Sequence, residues 1–207
     1  MSGEAWQVRL FVALVPPASV LDDVAVVVSD IRGRVDADVR LRQEQWRWTE
    51  RAQWHLTLAF LGEVGDDVVP GLKARLARVA RRSQPLHLHV RGGGGFGSAR
   101  NARVLWSGVH GDVDELRRLA GSVAAAARRV GIDVPDRRYR PHLTLARLRV
   151  PADVRPVVEW LSDYTGPVWE ADRLELVRSY LRAGPNGGSR YETIHAWPLG
   201  RPGSAAE

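Results

Sequence analysis

The hexapeptide His55-Leu56-Thr57-Leu58-Ala59-Phe60 returns almost unchanged as His142-Leu143-Thr144-Leu145-Ala146-Arg147. The copies are offset by 142 − 55 = 87 residues, too long a period for a solenoid and suited to duplication of a whole lobe. Residues two apart on a strand share a face, so in each copy the His and Thr project together while the leucines project to the opposite, core side. Each repeated strand therefore offers one imidazole and one hydroxyl to a common surface.

The pattern extends outward from these copies. Gln7 to Val15 reads as a strand stopped by Pro16-Pro17, and Val20, Val24, Val27, Val28 and Ile31 follow helical spacing up to Gly33. Asp36 to Ala52 reads as irregular and polar, with Trp46 and Trp48 among charges. Gln53 to Leu61 reads as a central strand, followed by a helix from Asp66-Asp67 to Ser83 that buries Leu72, Leu76, Val79 and Ala80. Strands near Leu86 to Arg91 and Arg103 to His110 flank a glycine-rich loop, Gly92 to Gly95. A third helix runs from Asp112 to Val130 and stops at Gly131. The strand Arg140 to Arg149 precedes a helix that begins around Pro151, and strands Arg173 to Arg182 and Arg190 to Trp197 follow. These patterns predict an α+β chain of two duplicated lobes, with antiparallel sheets flanked by helices and a central cleft.

With 207 residues, 44% hydrophobic and 26% charged, the chain is long enough to bury about 70% of its unfolded surface. One bilobal domain over residues 1–200 and a disordered tail over 201–207 are expected. Lys plus Arg exceed Asp plus Glu by 30 − 24 = 6, which favours anionic partners such as phosphates or RNA. Lys73 is the only lysine, leaving 30 − 1 = 29 arginines, the side chain suited to bidentate phosphate contacts. The absence of cysteine excludes disulfides, thiolate nucleophiles and Cys-based metal sites. The apolar run Val8 to Val15 lacks a basic leader and is too short for a membrane span. A cytoplasmic protein without membrane contact is expected, with a monomer favoured.

If the lobes pack about a pseudo-twofold axis, the two His/Thr pairs face each other and a phosphate is the natural occupant between them. A neutral imidazole takes a proton from the attacking group while an imidazolium gives one to the leaving oxygen. The threonine hydroxyls can donate to the non-bridging oxygens, where charge builds. No metal or cofactor is expected.

Together with Arg9 to Leu14, Leu61-Gly62-Glu63, Phe96-Gly97, Val104-Leu105-Trp106, Pro141, Ser179 and Tyr191, the two tetrads resemble the 2H phosphoesterase superfamily. They are most similar to its RNA 2′,3′-cyclic phosphodiesterases, also called 2′-5′ RNA ligases, and the likeness runs from Arg9 to Leu199. That resemblance implies metal-independent hydrolysis of an RNA-terminal or small-nucleotide 2′,3′-cyclic phosphate to a 2′-phosphomonoester. It implies His55 as donor to the leaving 3′ oxygen, His142 as the base that activates water, and Thr57 and Thr144 as holders of the phosphate oxygens. The alternatives are 2′-5′ ligation by the reverse reaction and a binding module that holds an RNA end without turnover.

Weaker signals surround this core. Gly92, Gly94 and Gly97 satisfy G-x-G-x-x-G, but a strand pattern follows where a dinucleotide site needs a helix. His87 and His89 share a strand face and are assigned to the sheet surface, with His110 and His195 also structural. Arg75, Arg78 and Arg82 read as a solvated helix face. Arg137, Arg138 and Arg140 are placed at the cleft mouth, and Arg9 and Phe11 on a face that could meet a phosphate and a base. Regular alternation puts Arg147 on the Leu143/Leu145 face, so a phosphate role for it requires a bulge.

Overall fold

Leu10, Val12 and Leu14 alternate with Phe11 and Ala13 along Gln7–Leu14 (β1), and in the computed structural model all five are buried, on opposite faces of the strand. Residues 7–184 and 188–200 are described; the tail expected at 201–207 lies outside them. β1 leads into the 20-residue helix Ala18–Ala37 (α1) and pairs antiparallel with Leu56–Gly65 (β3), which carries the first repeat. The second repeat follows the same plan. Ala102–Gly111 (β5) leads into the helix Val113–Arg128 (α3) and pairs antiparallel with His142–Ala152 (β6). A further helix follows each His strand, Val69–Arg82 (α2) after β3 and Arg155–Trp160 (α4) after β6.

Two antiparallel sheets result. One has the order β3-β1-β8-β9, with Arg173–Tyr180 (β8) and Arg190–Pro198 (β9) returning late in the chain to complete the first lobe. The other is β2-β6-β5-β4-β7, where Trp46–Trp48 (β2), Leu86–Phe96 (β4) and Trp169–Ala171 (β7) complete the second. Leu56, Leu58, Leu143 and Leu145 all enter the core, as the alternation requires. Helices cover it with Val24, Ile31, Leu72, Leu76, Leu116 and Val123. Among the described residues no helix is long and apolar enough to cross a membrane.

Several boundaries differ from the sequence reading, each for a local reason. α1 continues past Gly33 to Ala37 because Val35 extends the buried stripe, which outweighs the helix penalty of one glycine, about 1 kcal/mol. Gly92 to Gly95 is not a loop but part of β4. A Cβ at Gly94 would run into the Trp106 ring, one at Gly93 would stand 2.6 Å from Leu161, and one at Gly95 2.7 Å from the Ala102 methyl. The glycines let the strand pass close beneath large neighbours. Gly92 takes φ +61°, at the register shift between Arg91 and Gly94. Pro151 belongs to β6, so α4 begins only at Arg155. Asp36 to Ala52, read as irregular, is partly regular: α1 takes its first two residues, and two 3-10 turns, Leu41–Gln43 and Arg51–Gln53, flank β2. The Trp46 indole N–H donates to the Leu41 carbonyl at 2.9 Å and ties the segment down.

Candidate active site

The repeated strands share a defect that regular alternation conceals. Ala13 pairs with Thr57 and Val12 with Ala59, leaving Leu58 without a partner on β1; Trp106 pairs with Thr144 and Leu105 with Ala146, leaving Leu145 without one on β5. Each strand therefore bulges at the same place, and two consecutive residues, Leu58-Ala59 and Leu145-Ala146, are buried. Beyond the bulge the parity reverses. Phe60 and Arg147 join the His/Thr face, which corrects the assignment of Arg147 to the leucine side.

A cavity of about 740 Å³ lies against these faces, lined by His55, Thr57 and Phe60 of the first repeat and His142, Thr144 and Arg147 of the second. The structure thus brings together all four residues singled out by the tetrads. One wall is the segment that read as irregular, with Trp46 and Trp48 stacked at 5.2 Å between ring centroids and the Arg32 guanidinium 5.9 Å from the Trp48 ring. Leu181, Arg182 and Ser189 between β8 and β9 form another.

The imidazoles are held alike. His55 Nδ1 donates to the carbonyl of Gln53 and His142 Nδ1 to that of Arg140, both at 2.7 Å. A carbonyl oxygen only accepts, so each Nδ1 carries a hydrogen and each Nε2 is left for a ligand. Phe11 stacks on His55 at 4.6 Å and Tyr191 meets its edge at 5.1 Å. Phe96 and Trp106 stand edgewise to His142 at 4.7 and 6.4 Å. Burial among these rings pushes His55 down to about 4, against the Gln53 carbonyl, which favours the protonated ring; the charges of His142 and Arg147 push it down further. Burial also lowers His142, opposed by the Arg140 carbonyl and assisted by Arg147. Among the described residues, no hydrogen-bond partner engages the Thr57 or Thr144 hydroxyl.

The sequence matches the family model described as the 2′-5′ RNA ligase superfamily over residues 16–182. The chain belongs to this superfamily. It is 34% identical over 148 residues to an RNA 2′,3′-cyclic phosphodiesterase of Aeropyrum pernix, covering 69% of this chain and 82% of the relative. It is 32% identical over 155 residues to one of Geobacillus stearothermophilus, covering 73% of this chain but 47% of the relative, so it spans about half the length of that protein. Among solved structures it resembles TT0787 of Thermus thermophilus, with a TM-score of 0.69 and 28% identity over 94% of this chain and 99% of the other. It also resembles E. coli LigT complexed with 3′-AMP, with a TM-score of 0.70 and 25% identity over 94% and 99% of the two chains.

Other residues singled out in this superfamily member lie elsewhere. Phe11, 3% exposed and covered by His55, supports the imidazole and has no free face for a base. Arg9 is exposed and outside the cavity lining. Arg137, Arg138 and Arg140 are also exposed and outside it; Arg140 contributes through its carbonyl. His87 lies 3.7 Å from Asp112 and 3.9 Å from Glu170, His89 stacks with His110, and His195 packs on Trp197, all outside the cavity lining.

Four residues that shape the site escape the sequence reading. Gln53 holds His55 through its carbonyl, donates its amide N–H to the Ser189 carbonyl, and accepts from the Glu50 N–H. Phe60, 63% exposed, reaches the cavity only through the bulge. Trp46 and Trp48 carried a usable signal, since two residues apart on a strand they share a face.

Proposed function

We propose that the cleft hydrolyses the 2′,3′-cyclic phosphate at an RNA end, or of a small cyclic nucleotide, to a 2′-phosphomonoester. The supporting observation is the matched pair of imidazoles, each with Nδ1 fixed by a carbonyl and Nε2 left over, on one cavity with two unengaged threonine hydroxyls. His142 Nε2 takes a proton from water as its oxygen attacks phosphorus. The phosphorus–O3′ bond opposite breaks, and Nε2–H of a protonated His55 delivers its proton to O3′. Water supplies the new phosphate oxygen, and the 2′ ester bond survives.

Thr57 and Thr144 donate to the non-bridging oxygens, and Arg147 opposes the charge that accumulates there. Burial keeps both rings toward neutrality in the empty cleft, whereas the phosphate's negative charge favours an imidazolium. Substrate binding therefore brings in the charge that stabilises the proton His55 must give. Phe60 offers an exposed ring to the base of the terminal nucleotide.

The test is incubation in EDTA with an RNA ending in a 2′,3′-cyclic phosphate, beside His55→Ala and His142→Ala, with the position of the product phosphate determined. The expected result is a 2′-phosphate from wild type and none from either variant. A 3′-phosphate product, or full activity in either variant, overturns the scheme; binding without turnover supports the RNA-end module, and joined 2′-5′ products support ligation.

A further inference from the structure

Helices α2 and α3 pack against each other and leave a groove of about 830 Å³ that shares no lining residue with the catalytic cavity. Arg75, Arg78 and Arg82 stand along its α2 wall, at the i, i+3, i+7 spacing of one helix face. Across from them are Arg118 of α3 and Arg129 just past its end. Read from sequence, the three α2 arginines suggested a solvated face; the structure sets two more opposite them over an apolar floor that includes Leu119.

The lining holds five arginines against two carboxylates, an excess of 5 − 2 = 3. Both carboxylates are engaged, Glu115 with Arg118 at 2.8 Å and Asp112 with the His87 backbone N–H at 2.8 Å. Among the described residues, Arg75, Arg78, Arg82 and Arg129 have no acidic partner. α2 contains no Asp or Glu at all.

We propose that this groove is a second RNA contact, gripping the phosphodiester backbone of the RNA body while the cleft takes its end. The proposal rests on the reading of the cleft given above. A guanidinium binds phosphate in a planar, bidentate manner, and like-charged walls above an apolar floor concentrate an anion's attraction. The spread of the charges selects a chain of phosphates over a single one. Arg75 to Arg82 covers seven residues, about 10 Å along α2, and Arg118 to Arg129 covers eleven, about 16 Å along α3 and its C-cap. A lone phosphate needs guanidinium groups that converge; these form two rows.

The test replaces Arg75, Arg78 and Arg82 together with Gln, which keeps good helix propensity. The control replaces Arg81, Arg117 and Arg128 with Gln, an equal loss of charge on the same helices but outside the groove lining. Two readouts are taken: kcat/KM on a 2′,3′-cyclic mononucleotide, and affinity for an RNA of about 20 nucleotides ending in a 3′-hydroxyl, between about 50 and 200 mM salt.

Each single-strand phosphate contact adds about −0.7 to the log–log salt slope, so losing three flattens it by about 2. Across a fourfold change in salt, wild type should lose about 16-fold more affinity than the groove variant. The variant should bind the long RNA more weakly at low salt and process the mononucleotide like wild type, while the control keeps the wild-type slope. Wild-type RNA affinity and slope in the groove variant overturn the proposal, as does a control that changes equally or an equal loss on the mononucleotide. Failure of wild type to turn over the mononucleotide sinks the reading of the cleft instead, and the RNA affinities still decide the groove.

Discussion

Arg147→Gln removes a guanidinium whose charge lowers the pKa of both His55 and His142. Its place in the cavity depends on the bulge at Leu145-Ala146, so one substitution examines both the strand and the chemistry. A hydrogen bond from a charged group contributes about 1.5–3 kcal/mol, and 1.36 kcal/mol is a factor of ten. With that contact made to the phosphate in the transition state, kcat/KM on a 2′,3′-cyclic nucleotide should fall about 10- to 150-fold. Arg147 is exposed, so urea unfolding should change by no more than about 0.5 kcal/mol. A positive neighbour disfavours an imidazolium, so without it both rings hold their protons to higher pH and the kcat/KM–pH profile moves upward. A loss smaller than about threefold, equivalent to ~0.65 kcal/mol, or a profile moved downward, takes Arg147 out of contact with the phosphate. Stability lost by several kcal/mol with normal residual activity would put Arg147 on the core side and remove the bulge.

Three further outcomes are expected. Since burial takes His55 to about 4 and also lowers His142 from the ordinary 6.5, the singly protonated pair is most populated below pH 6.5. The free protein's kcat/KM should form a bell with its summit there; a profile still rising through pH 8 contradicts this. Gly94→Ala drives a Cβ into the Trp106 ring and should cost about 1–3 kcal/mol in urea unfolding, with reduced activity because Trp106 adjoins His142; an unchanged midpoint argues against the close approach. Phe60→Ala should raise KM for a cyclic nucleotide about 5- to 150-fold, from ~1–3 kcal/mol of stacking, and leave a cyclic phosphate without a base unaffected. Equal effects on both substrates remove Phe60 from base recognition.

The parts of the molecule legible in the sequence are those governed by periodicity. His55, Thr57, His142 and Thr144 were visible because a strand's alternation, read twice at one offset, separates them from the leucines. Helices α2 and α3 were visible through their apolar stripes, Leu72-Leu76-Ala80 and Leu116-Leu119-Ala120-Val123. Tertiary packing was not. The glycines of β4 read as a loop because composition does not reveal that Trp106 and Leu161 will press on the strand. Arg147 was placed by parity and Phe60 was given no role, because a bulge reverses parity without a marked change in local sequence. β2 escaped because three residues held by one neighbouring strand carry too little pattern to stand out from Asp36 to Ala52.

Duplication alone would yield two equal histidines, yet acid–base transfer needs one ring to give a proton while the other takes one. The equal parts are the elements of position: the bulge, the Nδ1-to-carbonyl bond two residues back, and the threonine two residues on. The unequal parts are what surrounds them. Phe60 and Arg147 occupy equivalent places just beyond the bulges, and Phe11 with Tyr191 encloses His55 where Phe96 and Trp106 stand edgewise to His142. Reciprocal exchange of these two residues, Phe60→Arg with Arg147→Phe, leaves net charge and both tetrads intact. If the histidines were interchangeable, that double variant would keep its rate and pH profile. The two environments predict that it loses both, because the cation then stands beside the stacked ring of His55 while the second repeat loses the guanidinium proposed to meet the phosphate.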